Sequence, residues 1–226
     1  MSKTPPLDDR LQWIALLQHH GGPTRLVDFT YSPYIALYFA INNSLRNFKC
    51  VDRNSSKKKL TRYITGISMQ QLKDISNSKI KECCPTIDDR NYFVQRGKKR
   101  DMKRINSILF REKFTNLVYP ITPFKLNERI LVQQGTFLCP STIDRPFEDT
   151  LQNAIKGHKK KIFIKMPITF TFNQARNAMA ELKKMNITQA SLFPGIDGFA
   201  KSLSNHWVLI QERKTPAGEI LADEYE

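Results

Sequence analysis

The sequence lacks any apolar run of about 18 residues, the shortest length from which a membrane-spanning helix is normally inferred. Its first six residues, MSKTPP, contain no apolar segment of the kind found in secretory signals. We therefore expect no membrane span and no exported product, and predict a soluble protein of the cytoplasm. The 226 residues are 40% hydrophobic, which is enough to build a substantial core.

Cysteine is scarce and is not arranged as a metal or disulfide framework. Cys50, Cys83, Cys84 and Cys139 include no Cys-x-x-Cys pair, and no histidine lies near them at metal-ligand spacing. We therefore expect no bound metal and interpret the thiols as reduced residues of the core or the surface.

Acidic residues are few, since 21 Asp and Glu accompany 36 Lys and Arg, which gives a formal charge of +15. Such a charge attracts nucleic acid, nucleotide phosphates or an acidic protein, but it does not select among these partners. A genome-wide compositional bias toward lysine would produce the same surplus. Charge alone therefore does not identify a function.

The densest basic segment is residues 96–113. The cations that would contact nucleic-acid phosphates there are Arg96, Lys98, Lys99, Arg100, Lys103 and Arg104. A solvated helix face would have the same composition. The sequence thus leaves open a non-catalytic basic module that binds nucleic acid or an acidic protein partner.

What the sequence does contain is a polar segment, residues 18–30, between two apolar helical patterns. Apolar spacing predicts a helix over residues 8–18, ended by two glycines and Pro23. Residues 24–30 predict a short strand. The Ser-Pro pair at residues 32–33 then predicts a helix start, with serine as the N-cap and proline in the first helical position.

Further elements are expected along the rest of the chain. The pattern predicts strands at 60–68, 117–121 and 161–168, a helical turn before a strand at Gly135, and helices at 105–114, 173–185, 188–193 and 196–203. Residues 73–100 are interpreted as irregular with short helices. With no repeat and no interdomain linker, residues 1–226 predict one α+β domain whose mixed or antiparallel sheet is flanked by helices.

Residues 18–30 hold the first set of candidate site residues, which share polar side chains without an obvious structural duty. They are His19, His20, Thr24, Arg25, Asp28 and Thr30. An arginine suits phosphate or carboxylate, the threonines offer hydroxyls, and a histidine can stack on a base or transfer a proton. An alternative of similar weight is an ion pair between Arg25 and Asp28 that ties the turn to the core. Adjacent histidines on a helix point about 100° apart, so they do not suggest a metal site.

A second candidate set surrounds the glycine at position 135. Arg129, Gln133, Gln134 and Gly135 could hold a sugar or an amide, because arginine and glutamine donate hydrogen bonds to such groups. In the alternative interpretation, the glutamines bond backbone groups around a bulge.

Several of these stretches resemble the FRG domain family. The resemblance is carried by the run from Trp13 to Thr30 and by the segments 32–33, 36–40, 127–129, 133–137 and 192–198. The family is bacterial and phage-associated, so the resemblance implies a bacterial protein linked to phage defence or toxin systems. The aromatic-Arg-Gly motif that names the family is expected upstream of His19, and it is lacking in the short leader here.

The order of motifs is also similar to that of ADP-ribosyltransferases. In that comparison, residues 24–30 correspond to the strand that lines the nicotinamide pocket, and Gln133-Gln134 to the acidic motif. The resemblance implies a nucleotide-binding or NAD-binding cleft. No residue matches the catalytic glutamate, so the sequence assigns no catalytic residue.

Overall fold

The computed structural model describes residues 4–5, 7, 9–47, 59–83, 116–121, 128–158, 162–196 and 198–203. Its strands are β1 (Val27–Thr30), β2 (Lys59–Ile67), β3 (Val118–Ile121), β4 (Gly135–Pro140) and β5 (Phe163–Thr171). Its helices are α1 (Arg10–His19), α2 (Pro33–Asn47), α3 (Met69–Cys83), α4 (Glu128–Val132), α5 (Phe147–Ile155), α6 (Phe172–Lys184) and α7 (Gln189–Leu192). Residues 198–203 are also helical. The α+β class is confirmed.

Local sequence explains the first unit, in which α1, β1 and α2 follow one another. Asp9 caps α1 by accepting a hydrogen bond from the Gln12 backbone N–H at 3.0 Å. Gly21 supplies the left-handed backbone after the helix, with φ at +83°. Ser32 Oγ accepts the Ile35 N–H at 3.4 Å, and α2 begins at Pro33. The expected helix, turn, strand and helix are confirmed.

The strands form two antiparallel sheets. One has the order β1-β4-β3, with Thr30 opposite Gly135 and Val27 opposite Leu138. The other is a ribbon of β2 and β5. The prediction of one mixed or antiparallel sheet is therefore sharpened to two small antiparallel ones. Among the described strands, an outer strand of each sheet contains a proline, Pro120 in β3 and Pro167 in β5.

The central strand β4 is buried on both faces of the three-stranded sheet, and its successive side chains point to opposite sides. Phe137 packs with Leu11 of α1, whereas Leu138 packs with Leu151 of α5. Helix α2 joins the ribbon to the later helices, since its apolar residues pack against both the ribbon and α6. Among the helices within the described ranges, none has the length and apolar character that crossing a bilayer requires.

Two stretches differ from the sequence prediction. Residues 73–83 were interpreted as irregular with short helices, but they belong to one continuous helix, α3, which ends at Cys83. Its interior positions Leu72, Ile75 and Ile80 are buried, so tertiary packing stabilises a helix whose composition is polar. Helix α5 was not predicted, because its N-cap residue, Pro146, makes no side-chain capping bond. The helix expected at 105–114 lies outside the described residues.

Candidate functional site

The pairing of β1 with β4 brings together the ends of the two predicted site segments. Thr30 Oγ1 donates to the Gln133 carbonyl at 2.8 Å and accepts the Ser32 N–H at 3.0 Å. The Tyr31 N–H donates to the Gln134 carbonyl at 3.0 Å. The hydroxyl of Thr30 therefore holds the strand corner together, which is a structural duty.

The carboxylate of Asp28 is oriented by a short chain of side chains. Thr24 Oγ1 donates to Gln18 Oε1, and Gln18 Nε2 donates to Asp28 Oδ1 at 2.9 Å. Thr24 Oγ1 also accepts the Leu26 N–H at 3.1 Å. Because the threonine hydroxyl fixes the amide oxygen of Gln18, the amide NH2 must face Asp28. Asp28 as a whole residue is exposed, but its carboxylate is partly withdrawn from solvent.

Arg129, the only cation of α4, lies beside the end of α1. Its Nη1 donates to the His19 carbonyl at 3.4 Å, and its guanidinium carbon lies 4.7 Å from the centre of the Phe193 ring. The charge of Arg129 also acts on the carboxylate of Asp28. We call Gln18, His19, Asp28, Arg129 and Phe193 the Arg129 cluster.

The electrostatics of the cluster follow from burial and from this one cation. The pKa of His19 is lowered below 6.5, first by burial, then by the charge of Arg129 and by His20. The pKa of Asp28 is raised above 3.8 because desolvation outweighs the opposing effects of Gln18 and Arg129. His19 is thus biased toward the neutral imidazole, and Asp28 holds its proton more tightly than an ordinary aspartate.

Gln133 and Gln134 occupy the turn between α4 and β4. Gln133 Nε2 donates to the Leu192 carbonyl at 2.9 Å, so this side chain ties the turn to the end of α7. Gln134 has a φ of +47°, which is uncommon for a residue with a side chain, and it is exposed. His20, also exposed, stacks edge-on against His19 with ring centres 5.1 Å apart. The exposed side chains of His20 and Gln134 are therefore open to a ligand.

Arg25 lies at the opposite end of the β1–β4 pair from Gln134. Its Nη1 donates to the Ser141 carbonyl at 3.2 Å, and its charge acts on Cys139 rather than on Asp28. Burial raises the pKa of the Cys139 thiol to about 12, so that thiol is protonated and unreactive. The structure therefore brings His19, His20, Asp28, Arg129, Gln133 and Gln134 together, and places Arg25 elsewhere.

Two members of the cluster were not among the predicted ligand residues. Gln18 and Phe193 both lie in stretches that carry the FRG resemblance, but neither type of side chain marks a site by itself. The six basic residues from Arg96 to Arg104 lie outside the described residues. Within the described ranges, no three His, Cys, Asp or Glu side chains are grouped so that they could hold a metal ion.

The protein therefore has an α+β fold in which a carboxylate, a guanidinium and an imidazole lie close together beside the paired strands β1 and β4. The family model of the FRG domain matches residues 2–49, which confirms the FRG resemblance for α1, β1 and α2. Neither the curated proteins nor the solved structures include a match to this chain.

Proposed function

We propose that the Arg129 cluster binds a nucleotide, with NAD as a candidate ligand. The observation that carries the proposal is the convergence of three stretches distant in sequence. Arg129 meets His19 across 110 positions, and Gln133 meets Leu192 across 59. A structural ion pair would not require a carboxylate, a guanidinium and a histidine to share one exposed corner.

Four members of the cluster, together with the neighbouring His20 and Gln134, have roles in this proposal. The guanidinium of Arg129 takes a phosphate group, for which its planar fork is suited. Asp28, held by Gln18, accepts hydrogen bonds from ribose hydroxyls. The exposed His20 and Gln134 contact the base or the amide of the ligand. The neutral form of His19 leaves the positive charge of the corner to Arg129.

The relation to ADP-ribosyltransferases is part of the same proposal. In that comparison the strand before α2 and the Gln133-Gln134 turn line one pocket, and the hydrogen bond from Thr30 to Gln133 makes them neighbours. We propose nucleotide binding without a catalytic residue, in a protein of bacterial phage defence or toxin systems.

The test is an NMR titration of NAD, ADP and adenosine into the wild type, Arg129→Gln and Arg25→Gln. We expect shifts of the His20, Asp28 and Gln134 resonances in the wild type, their loss in Arg129→Gln, and their retention in Arg25→Gln. The two variants remove the same chemistry, but only one lies in the cluster. Binding that survives Arg129→Gln and disappears in Arg25→Gln would contradict the proposal.

A further inference from the structure

The guanidinium of Arg129 is fixed on one face and at one N–H. The Phe193 ring covers the face at 4.7 Å, and the His19 carbonyl accepts from Nη1 at 3.4 Å. Within the described part of the chain, Nε and Nη2 have no hydrogen-bond partner. Arginine binds carboxylate and phosphate through two parallel N–H groups, so one edge is available for that geometry.

The Phe193 ring is itself held by a chain of contacts that runs through the partly buried Phe39 to the buried Tyr38. It packs edge-on against Phe39 with ring centres 6.0 Å apart, and Phe39 packs in the same way against Tyr38 at 5.6 Å. Tyr38, 1% exposed, donates its hydroxyl proton to Gln189 Oε1 at 3.1 Å. This hydrogen bond joins α2 to α7, the short helix that ends just before Phe193. The ring is therefore a fixed platform.

We infer that Phe193 is a positioning residue, which presents the open edge of Arg129 to an anionic phosphate group of the ligand. This inference rests on the proposed function and adds to it the group that is recognised. An arginine that must be ordered on binding loses side-chain entropy, whereas a stacked one has already lost it. Removing the platform should weaken a phosphate-bearing ligand about three- to tenfold.

The first experiment measures the position of Arg129 without any ligand. The charge of Arg129 lowers the pKa of His19, so the imidazole resonance of His19, assigned with a His19→Gln variant, reports on that charge. Phe193→Leu should raise the pKa of His19 toward its ordinary value, and Arg129→Gln should raise it at least as far. In the double variant the pKa of His19 should rise no further than in Arg129→Gln alone, because both substitutions remove the same interaction between Arg129 and His19.

Two control variants separate positioning from general packing. Phe163→Leu removes a ring of the same size and similar burial that packs against the core around Leu138 and Leu151, and it should leave the His19 titration unchanged. Phe193→Tyr keeps the stacking surface and should titrate like the wild type. An unchanged pKa of His19 in Phe193→Leu, or a shift that adds to that of Arg129→Gln, would overturn the inference.

The second experiment compares ADP with adenosine, which lacks the phosphates. Phe193→Leu should weaken ADP three- to tenfold and leave adenosine unchanged, and Phe163→Leu should affect neither. Equal weakening of both ligands would overturn the phosphate role. If the wild type binds neither, the proposed function fails and the phosphate role with it, whereas the His19 titration still decides whether Phe193 positions Arg129.

Discussion

Asp28 shows how a partly desolvated carboxylate affects the stability of the fold. Desolvation raises its pKa above 3.8 in the folded protein, so the unfolded chain gives up this proton at lower pH than the folded one. Above about pH 4 the folded state binds more protons at this site, and stability falls as pH rises. Asp28 therefore opposes folding in neutral solution.

The variant Asp28→Asn should remove this pH-dependent penalty. We expect its free energy of unfolding, measured with urea, to equal that of the wild type near about pH 3 and to exceed it near about pH 7. Asp144→Asn is the matched control with the opposite sign, since the Arg145 side chain lowers the pKa of Asp144. That variant should fall below the wild type as pH rises. If the free energy of unfolding of the wild type instead rose relative to that of Asp28→Asn as pH increased, the raised pKa of Asp28 would be contradicted.

Tyr38 provides a second test at the scale of one residue. Tyr38→Phe removes the hydroxyl and leaves the buried Gln189 Oε1 without this donor, which should cost about 1–3 kcal/mol in the free energy of unfolding. Tyr34→Phe on the same helix changes an exposed ring, 53% accessible, and should cost almost nothing. Urea unfolding of both variants measures the difference. Equal costs would mean that the hydrogen bond to α7 contributes little.

At the scale of the element, α6 begins with a capping box. Thr171 Oγ1 accepts the Gln174 N–H at 3.3 Å, and Gln174 Oε1 accepts the Thr171 N–H at 2.9 Å. Thr171→Ala should destabilise the protein by about 1 kcal/mol, because it leaves an N–H of the first turn without its acceptor.

The matched control for this variant lies in the middle of the same helix. Asn177 is exposed, so Asn177→Ala should be neutral or stabilise by about 0.5 kcal/mol through helix propensity. Thermal or urea unfolding that shows no loss for Thr171→Ala would mean that packing against α2 alone determines where α6 begins.

Elements with local signals were the ones that the sequence could predict. The Ser-Pro start of α2 and the glycine after α1 act within a few residues, and each lies where expected. The short helix expected at 188–193 is also present as α7, with the local cap Thr188. Helix α3 beyond residue 73 was missed because its stability comes from β3 and α5, which are distant in sequence. Local pattern cannot report such contacts.

At the scale of the whole molecule, the candidate site also combines features that the sequence predicts with features that depend on distant contacts. The polar residues of both segments were visible in the sequence, but the partner of Asp28 was not. Arg25 lies three positions from Asp28, yet the cation that acts on this carboxylate is Arg129. Which arginine acts on Asp28 is determined by the β1–β4 register and the position of α4, and neither can be read from the local sequence.

This convergence predicts a collective response to ligand. With saturating ADP, backbone amide hydrogen exchange should slow together in residues 19–22, 129–134 and 192–193, because binding stabilises contacts shared by all three stretches. Exchange in the ribbon strand β2 should not change. Arg129→Gln should abolish the protection in all three stretches at once. Protection confined to one of them would indicate a local site and contradict the shared one.

The prolines in the outer strands have a consequence for how this protein behaves at high concentration. Pro120 lies in β3 and Pro167 in β5, and neither has the N–H that a strand from another molecule would need for continuous pairing. Each small sheet is thus protected against edge-to-edge growth on that side. Replacing Pro167 with valine, in a ribbon that also exposes Ile164 and Met166, should lower the concentration at which the chain forms cross-β aggregates.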